Sequence, residues 1–145
     1  MIRKIFSAML LMSIMIITPQ VAFADYPQNL NGDSNYILCD GHQGYGTYLA
    51  KNTLKVLDYS DKGMIICLIK AVTVKDADRG GTQVVNNSGY AFLYELSTRK
   101  MGQIDINQNV TWLNPTARSR AEGYNTIRIG NLVFYLATGR DFWTL

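Results

Sequence analysis

The chain has 145 residues, of which 48% are hydrophobic, 17% charged and 11% aromatic, and its formal net charge is +3. This length predicts one domain, and the composition is neither that of a disordered chain nor that of a collagen-like one. One histidine and two cysteines are too few to hold a structural zinc ion, so neither a metal nor a cofactor is expected.

Residues 1–24 have the pattern of a secretory signal peptide. Arg3 and Lys4 supply the positive start, residues 5–17 are almost entirely apolar, and Ala22-Phe23-Ala24 forms a small-x-small cleavage site. The alternative is a buried or membrane-anchoring helix, although the apolar stretch is shorter than the roughly 20 residues that span a bilayer. The sequence therefore predicts cleavage near Ala24 and secretion, or export to the periplasm or the cell surface.

Cleavage lowers the count of Lys and Arg from 14 to 12 while Asp and Glu stay at 11, so the net charge of the mature chain is +1. A nearly neutral chain argues against nucleic-acid binding by bulk electrostatics. The C-terminal third is more basic, with six basic and three acidic residues from position 97 onward. Arg118, Arg120 and Arg128 are therefore candidate contacts for a partner, with an ordinary solvated surface as the alternative.

Cys39 and Cys67 are the two cysteines of the chain. An oxidising compartment favours a disulfide between them, which would close a loop of about 29 residues and contribute roughly 3–4 kcal/mol. The alternative is a pair of free buried thiols. A catalytic thiol is not favoured, because Cys67 lies in a very apolar segment where burial raises the pKa of a thiol.

The first half of the mature chain has the pattern of a flexible, turn-rich lead-in followed by strands. Apolar and β-branched runs separated by turn residues predict strands in an antiparallel sheet. The run from Met64 to Lys75 is the strongest, and its two faces, which are largely apolar except at Lys70, predict a central strand. The segments are the lead-in (25–35) and strands at 36–39, 44–50, 54–59 and 64–75.

The second half predicts further strands and one helix. A polar loop is expected at 76–88, followed by strands at 90–96, 101–106 and 110–113 and a polar connector at 114–123. Residues 131–138 place Leu132, Tyr135 and Leu136 on one helical stripe, and Gly139 suits the C-terminal cap. We therefore expect a single α+β domain at 36–145, a mainly antiparallel sheet with a C-terminal helix packed on it.

His42 is the one histidine and the first candidate for catalysis. A general base needs a nucleophile or an orienting carboxylate, and Asp40 is the nearby acid. No serine is placed beside it in a nucleophile motif, and the glycines around it do not form a phosphate-binding loop. The sequence thus favours a loop histidine without a catalytic role and predicts that the protein is not an enzyme.

Tyrosine is abundant, with nine residues in the chain. Tyrosine is enriched at recognition surfaces but is equally common on half-buried strands. The strand interpretation is favoured for Tyr48, Tyr94 and Tyr135. Loop positions make Tyr45, Tyr90 and Tyr124 candidate contacts with a partner.

The order of these segments resembles small secreted bacterial domains related to the surface-adhesin E family. The resemblance covers about residues 36–106 and rests on the aromatic strand at 36–39, the Gly-Thr-Tyr-Leu strand at 46–49, the long apolar strand and the segment Phe92-Leu93-Tyr94-Glu95-Leu96. Tyr36 stands where the family usually has a tryptophan. The resemblance implies an antiparallel sheet with a helix packed on it and a non-enzymatic role at the cell surface.

Two functional hypotheses follow. The first is an exported, non-enzymatic interaction module, exposed at the surface, that binds a host, matrix or envelope protein through its loop tyrosines and C-terminal arginines. The second is a periplasmic inhibitor or accessory factor of an envelope hydrolase. Neither hypothesis involves nucleic acid or a membrane span in the mature chain.

Overall fold

The computed structural model describes residues 26–145, and the predicted signal peptide at 1–24 lies outside this range. Within it, seven strands form one antiparallel sheet, and the helix α1 (Tyr124–Thr138) packs on one face of that sheet. The predicted α+β fold is therefore confirmed. The strands are β1 (Tyr36–His42), β2 (Tyr45–Ala50), β3 (Lys55–Tyr59), β4 (Met64–Val74), β5 (Val84–Glu95), β6 (Lys100–Ile104) and β7 (Val110–Trp112).

β4 is the central strand, as its apolar and β-branched residues predict. β5 pairs with it along its whole length on one side. On the other side β2 pairs with its C-terminal half and β3 with its N-terminal half, and a short 3₁₀ turn at Lys51–Thr53 joins these two strands. The full strand order is β1-β2-β4-β5-β6-β7, with β3 beside β4.

β5 begins much earlier than the sequence predicts. Residues 76–88 have the composition of a polar loop, but the strand starts at Val84, so that prediction is wrong for its second half. Asn86, Asn87 and Ser88 have low β-propensity. They are nevertheless extended because they pair with Thr73, Val72 and Ala71 of β4, whose backbone polar groups need partners.

α1 also begins earlier than predicted, at Tyr124 instead of Asn131. Its buried residues include Ile127, Ile129, Val133 and Phe134, whereas Tyr135 of the predicted stripe is 51% exposed. The predicted C-terminal cap is confirmed, because Gly139 has φ 73° and its N–H donates to the carbonyl of Tyr135. The predicted start of the helix is too late because polar residues interrupt the apolar pattern of the first helical turns.

At Gly130 the backbone of α1 packs closely against the sheet. A Cβ atom there would lie 2.4 Å from Met101 Sδ and 2.9 Å from Phe92 Cε1. The hydroxyl of Tyr94 donates to the carbonyl of Gly130 at 2.6 Å inside this contact. Burial raises the pKa of Tyr94 far above its usual range, so the hydroxyl stays a neutral donor.

Asn131 fastens the C-terminal tail to α1. Its Oδ1 accepts from the backbone N–H groups of Phe142 and Trp143 at 2.9 and 2.8 Å, and its Nδ2 donates to the carbonyl of Trp143 at 2.9 Å. On the far side of the tail, the guanidinium of Arg99 lies 4.7 Å from the ring centre of Phe142. The tail thus closes the core between the helix and the β5–β6 turn.

The predicted lead-in, described from Tyr26 onward, packs on the opposite side of the sheet from α1. The hydroxyl of Tyr26 accepts from the N–H of Gly44 at 3.0 Å, and the carbonyl of Gln28 accepts from the N–H of Leu38 at 2.9 Å. Tyr26 and Leu30 join a small second core around Tyr48, Val74 and Ala77. The lead-in therefore covers one part of this second face, at the β1–β2 end.

Candidate functional site

The sheet has a second face whose other part is not covered. On β4 the residues that point to α1 are buried, whereas the alternating ones at Ile66 and Leu68 are half-buried and exposed. A row of residues that pair across the strands runs over this face, from Leu57 through Ile66 and Leu93 to Gly102 and Trp112. We call this surface the open face; its apolar members are Leu57, Tyr59, Ile66, Leu68, Leu93, Ile104, Val110 and Trp112.

The open face is strongly apolar for an uncovered surface. Leu57 is 41% exposed, Leu68 37% and Trp112 49%, so large side chains contact water across the patch. The patch crosses five strands and about three rows of side chains, which is roughly 20 Å by 13 Å. Patches of a few hundred Å² are the largest that most monomers expose, and they often mark interaction sites.

Trp112 stands over a glycine at one end of the open face. Its partner across the β6–β7 pair is Gly102, where a Cβ atom would lie 3.2 Å from Cε3 of the indole. The ammonium of Lys100 lies 6.0 Å from the ring centre. The tryptophan therefore shares the space over this glycine with Val110, the nearer of the two to that Cβ position at 2.4 Å, and a cation lies over its ring.

A groove crosses the open face where β6 ends. It has a volume of about 460 Å³. Leu68, Gly89 and Ala91 lie along it, Lys70 borders one side, and Ile106 borders the other. Ile106 is 98% exposed.

The six predicted partner-contact residues are divided among β2, β5, the connector before α1, and α1 itself. No hydrogen bond or ion pair joins any two of them within residues 26–145. Tyr45 and Tyr90 lie on strands, not on loops, and Tyr124 opens α1. The predicted loop positions are thus wrong for all three tyrosines.

Tyr90 and the arginines have individual environments. Burial raises the pKa of Tyr90 to about 12, with the neighbouring Cys39 and the charge of Asp40 adding to the effect. Arg118 donates to the carbonyls of Pro115 and Ala117, and Arg128 is exposed on α1. Tyr90 is thus half-buried near Asp40, whereas Arg128 faces solvent.

Arg120 forms an ion pair that the sequence does not predict. Its Nη1 and Nη2 donate to the two carboxylate oxygens of Asp40 at 2.9 and 2.6 Å. This pair joins the connector before α1 to β1, across 80 residues of sequence. Arg120 thus engages both oxygens of Asp40, and no hydrogen bond joins this carboxylate to the exposed His42 within residues 26–145.

The predicted disulfide is not formed. Cys39 and Cys67 are both free and buried. β2 separates their strands, and they are displaced by about five residues along the strand direction, which is roughly 15 Å. A disulfide requires Cα atoms within about 7 Å.

The two thiols are also unreactive by environment. Burial raises the pKa of Cys39 to about 12, with the charge of Asp40 adding to the effect, and burial raises the pKa of Cys67 to about 11. Little thiolate is present near neutral pH at such values. The structure thus agrees with the alternative of buried free thiols.

Sequence reasoning missed the open face. The apolar residues on both sides of β4 predicted a central strand, and such strands are usually covered on both faces. Exposed Lys70 within the strand was the one signal of a water-facing side. The exposure of Leu68 and Trp112 depends on which elements fold over the sheet, and local sequence does not encode that.

Neither a metal centre nor a membrane span emerges from the described part of the chain. No cluster of three or more His, Cys, Asp or Glu side chains within residues 26–145 is arranged to bind a metal. No helix in this range is both long enough and apolar enough to cross a membrane. Comparison with known proteins found no matching family model, no matching curated protein and no matching solved structure.

Proposed function

We propose that this chain is an exported, non-enzymatic interaction module that binds a protein partner through its open face. The observation that carries the proposal is the exposure of Leu57, Leu68 and Trp112 on one continuous apolar surface. Burying such a surface gains about 25 cal/mol per Å² removed from water. An aromatic residue such as Trp112 is also the type that most often dominates the energy of an interface.

The environments of the candidate reactive groups support a non-enzymatic role. Asp40 is engaged on both oxygens by Arg120. Burial of Cys39 and Cys67 raises the pKa of each thiol, which removes the nucleophilic thiolate. Cys39, Cys67 and Asp40 are thus used in packing and in an ion pair, and His42 is exposed without a carboxylate partner within residues 26–145.

Site-specific photocrosslinking tests the binding surface in cells that produce the protein. A photoreactive phenylalanine replaces Trp112 in one variant and Tyr135 in a matched control on the opposite side of the molecule. The two positions are 49% and 51% exposed, so their access to a random neighbour is similar. We expect a discrete protein adduct from position 112 and none from position 135; no adduct, or equal adducts from both, would contradict the proposal.

Protease accessibility on intact cells, with fractionation of medium and periplasm, tests the location. Digestion on intact cells, or release into the medium, is the expected result for a surface or secreted module. Protection until the outer envelope is opened would contradict surface exposure. It would favour the alternative of a periplasmic factor that acts on an envelope hydrolase.

A further inference from the structure

β5 has a long stretch without a strand on its outer side. β4 pairs with all of β5, but β6 pairs only with Phe92 to Glu95. From Val84 to Ala91 the outer side has no strand partner within residues 26–145; we call this stretch the free edge. Its sequence, VVNNSGYA, contains no charged residue and no proline, which are two of the usual protections of an exposed edge. A third protection, an irregularity in the pairing, occurs only at its N-terminal end, between Val84 and Asn86.

The groove on the open face lies against this free edge. Gly89 pairs with Lys70 of β4, and because Gly89 has no side chain, the open face is bare between Lys70 and the edge. The groove extends over this gap to Ile104, where β6 ends, and to the exposed Ile106. A strand placed beside the free edge would therefore direct one side chain into the groove above Gly89.

The same sheet contains a filled version of this arrangement. Gly102 is covered by Val110 and by the ring of its direct cross-strand partner Trp112, and Lys100 lies over that ring. Gly89 has a neighbouring lysine, Lys70, but no neighbouring strand to supply the ring. The chemistry that completes the position is an aromatic side chain on an added strand.

The charges around the groove favour an acidic strand. Lys55 and Lys70 border it, and Asp105 is the one acid beside them. Oδ1 of Asp105 accepts from the N–H groups of Asn107 and Asn109, each at 2.8 Å. Since Asp105 is engaged by its own loop, a carboxylate on the added strand is the complementary group for Lys70.

We propose that the free edge takes an extended segment of the protein partner as an additional antiparallel strand, with an aromatic residue over Gly89 and an acidic residue two positions later, opposite Asn87. The antiparallel direction matches every other pairing in the sheet. This proposal rests on the proposed function and names the chemistry of the partner. Backbone hydrogen bonds provide affinity, and the two side chains provide specificity.

A second copy of the chain fits the edge less well. The open-face positions of the free edge are Asn87, Gly89 and Ala91. If two free edges paired, neither would offer an aromatic ring to the gap over Gly89 or a carboxylate to Lys70. A partner segment of different sequence is therefore the better match.

A labelled eight-residue peptide is the probe. It has a threonine and valine background, a tryptophan at its fourth position and an aspartate at its sixth. Binding to the folded protein is followed by fluorescence anisotropy, and hydrogen exchange reports on the amides from Val84 to Ala91. We expect saturable binding with slowed exchange in this stretch.

Peptide variants separate the contributions of the aromatic side chain, the acidic side chain and the backbone to binding. Replacing the tryptophan with alanine should weaken binding roughly tenfold or more, because it removes a large buried side chain. Replacing the aspartate with lysine should also weaken binding. N-methylation of alternate amides on the side that faces the free edge should abolish it, because an added strand binds through its backbone.

Protein variants test the groove itself. Lys70→Glu should weaken binding roughly fivefold, because it removes the cation above the ring. Lys75→Glu, at an exposed position outside the groove, is the matched control and should bind normally. Ile106→Glu should weaken binding without affecting folding, since that side chain is almost fully exposed.

Several results would overturn the proposal. These are no binding at millimolar peptide, unchanged binding after N-methylation, or unchanged exchange from Val84 to Ala91. A dimer in sedimentation that Gly89→Val dissociates would assign the edge to a second copy instead. If the peptide does not bind but position 112 still forms a crosslink, the proposed function stands and only the added strand is excluded. If the peptide binds but no crosslink forms, only the proposed function is contradicted.

Discussion

The tail anchored by Asn131 offers the sharpest test of the packing described above. Asn131→Ala removes one donor and one acceptor that together serve three backbone groups of Phe142 and Trp143. Each buried polar group left without a partner costs about 1–3 kcal/mol. Because the tail lies at the chain end and can move toward water, we expect the lower end of this range for each group, or about 3 kcal/mol in total.

Urea unfolding followed by tryptophan fluorescence measures this loss. A domain of this size should also lose roughly 10 °C in melting temperature. Asn125→Ala, near the start of the same helix, is the matched control, because Asn125 is partly exposed and makes no side-chain hydrogen bond within residues 26–145. We expect a change within about 0.5 kcal/mol for that variant.

Hydrogen exchange identifies where the stability is lost. In Asn131→Ala the amides of Phe142 and Trp143 should exchange faster than in the parent protein. The amides of β4 should keep the same relative exchange rates among themselves. If Asn131→Ala costs less than about 1 kcal/mol, or if the two tail amides exchange as in the parent protein, the account of the tail is refuted.

Three further predictions concern other parts of the fold. Gly130→Ala should destabilise the protein by about 1–2 kcal/mol in urea unfolding, because overpacking against the facing methionine sulfur on β6 exceeds the gain of about 1 kcal/mol in helix propensity; a more stable variant would contradict the close approach. Cys39 and Cys67 should resist a thiol reagent at pH 8 in the folded protein and both react after unfolding, because burial raises their pKa values; rapid reaction in the folded state would be the opposing result. Hydrogen bonds from the backbone and side chain of Asn109 lower the pKa of Asp105 below its ordinary value of 3.8. The ionised Asp105 therefore stabilises the fold at pH values above 3.8, and this stabilisation is lost as pH falls through the lowered pKa. Carboxyl NMR titration should show this shift, and Asn109→Ala should reduce it; an unshifted parent carboxyl would disagree.

The candidate site could be predicted only in part, because its contacts join residues that are far apart in the sequence. Arg120 was selected for its charge, but its partner Asp40 lies 80 residues away, so the ion pair depends on how the connector crosses β1. Tyr90 was selected as a loop residue at the start of the predicted strand 90–96, yet it lies well inside β5, because the polar segment before it pairs with β4. The open face carries the proposal and was not predicted, because exposure is a property of the layers around a strand.

The sequence by itself determined the local features of this protein. The β-branched run from Met64 identifies the central strand, Gly139 ends the helix, and alternating residues indicate a sheet with a C-terminal helix on it. These features follow from backbone propensity, turn chemistry and side-chain period, which act over a few residues.

The tertiary structure decided everything that depends on distant segments. It placed Cys39 and Cys67 too far apart to form a disulfide, and it extended β5 through Asn87 because β4 needed a partner there. It also covered one face of the sheet with α1 and left Leu68 on the other face in water. The physical reason is that burial and pairing are settled by whichever segments meet in space, and a local pattern does not contain that information.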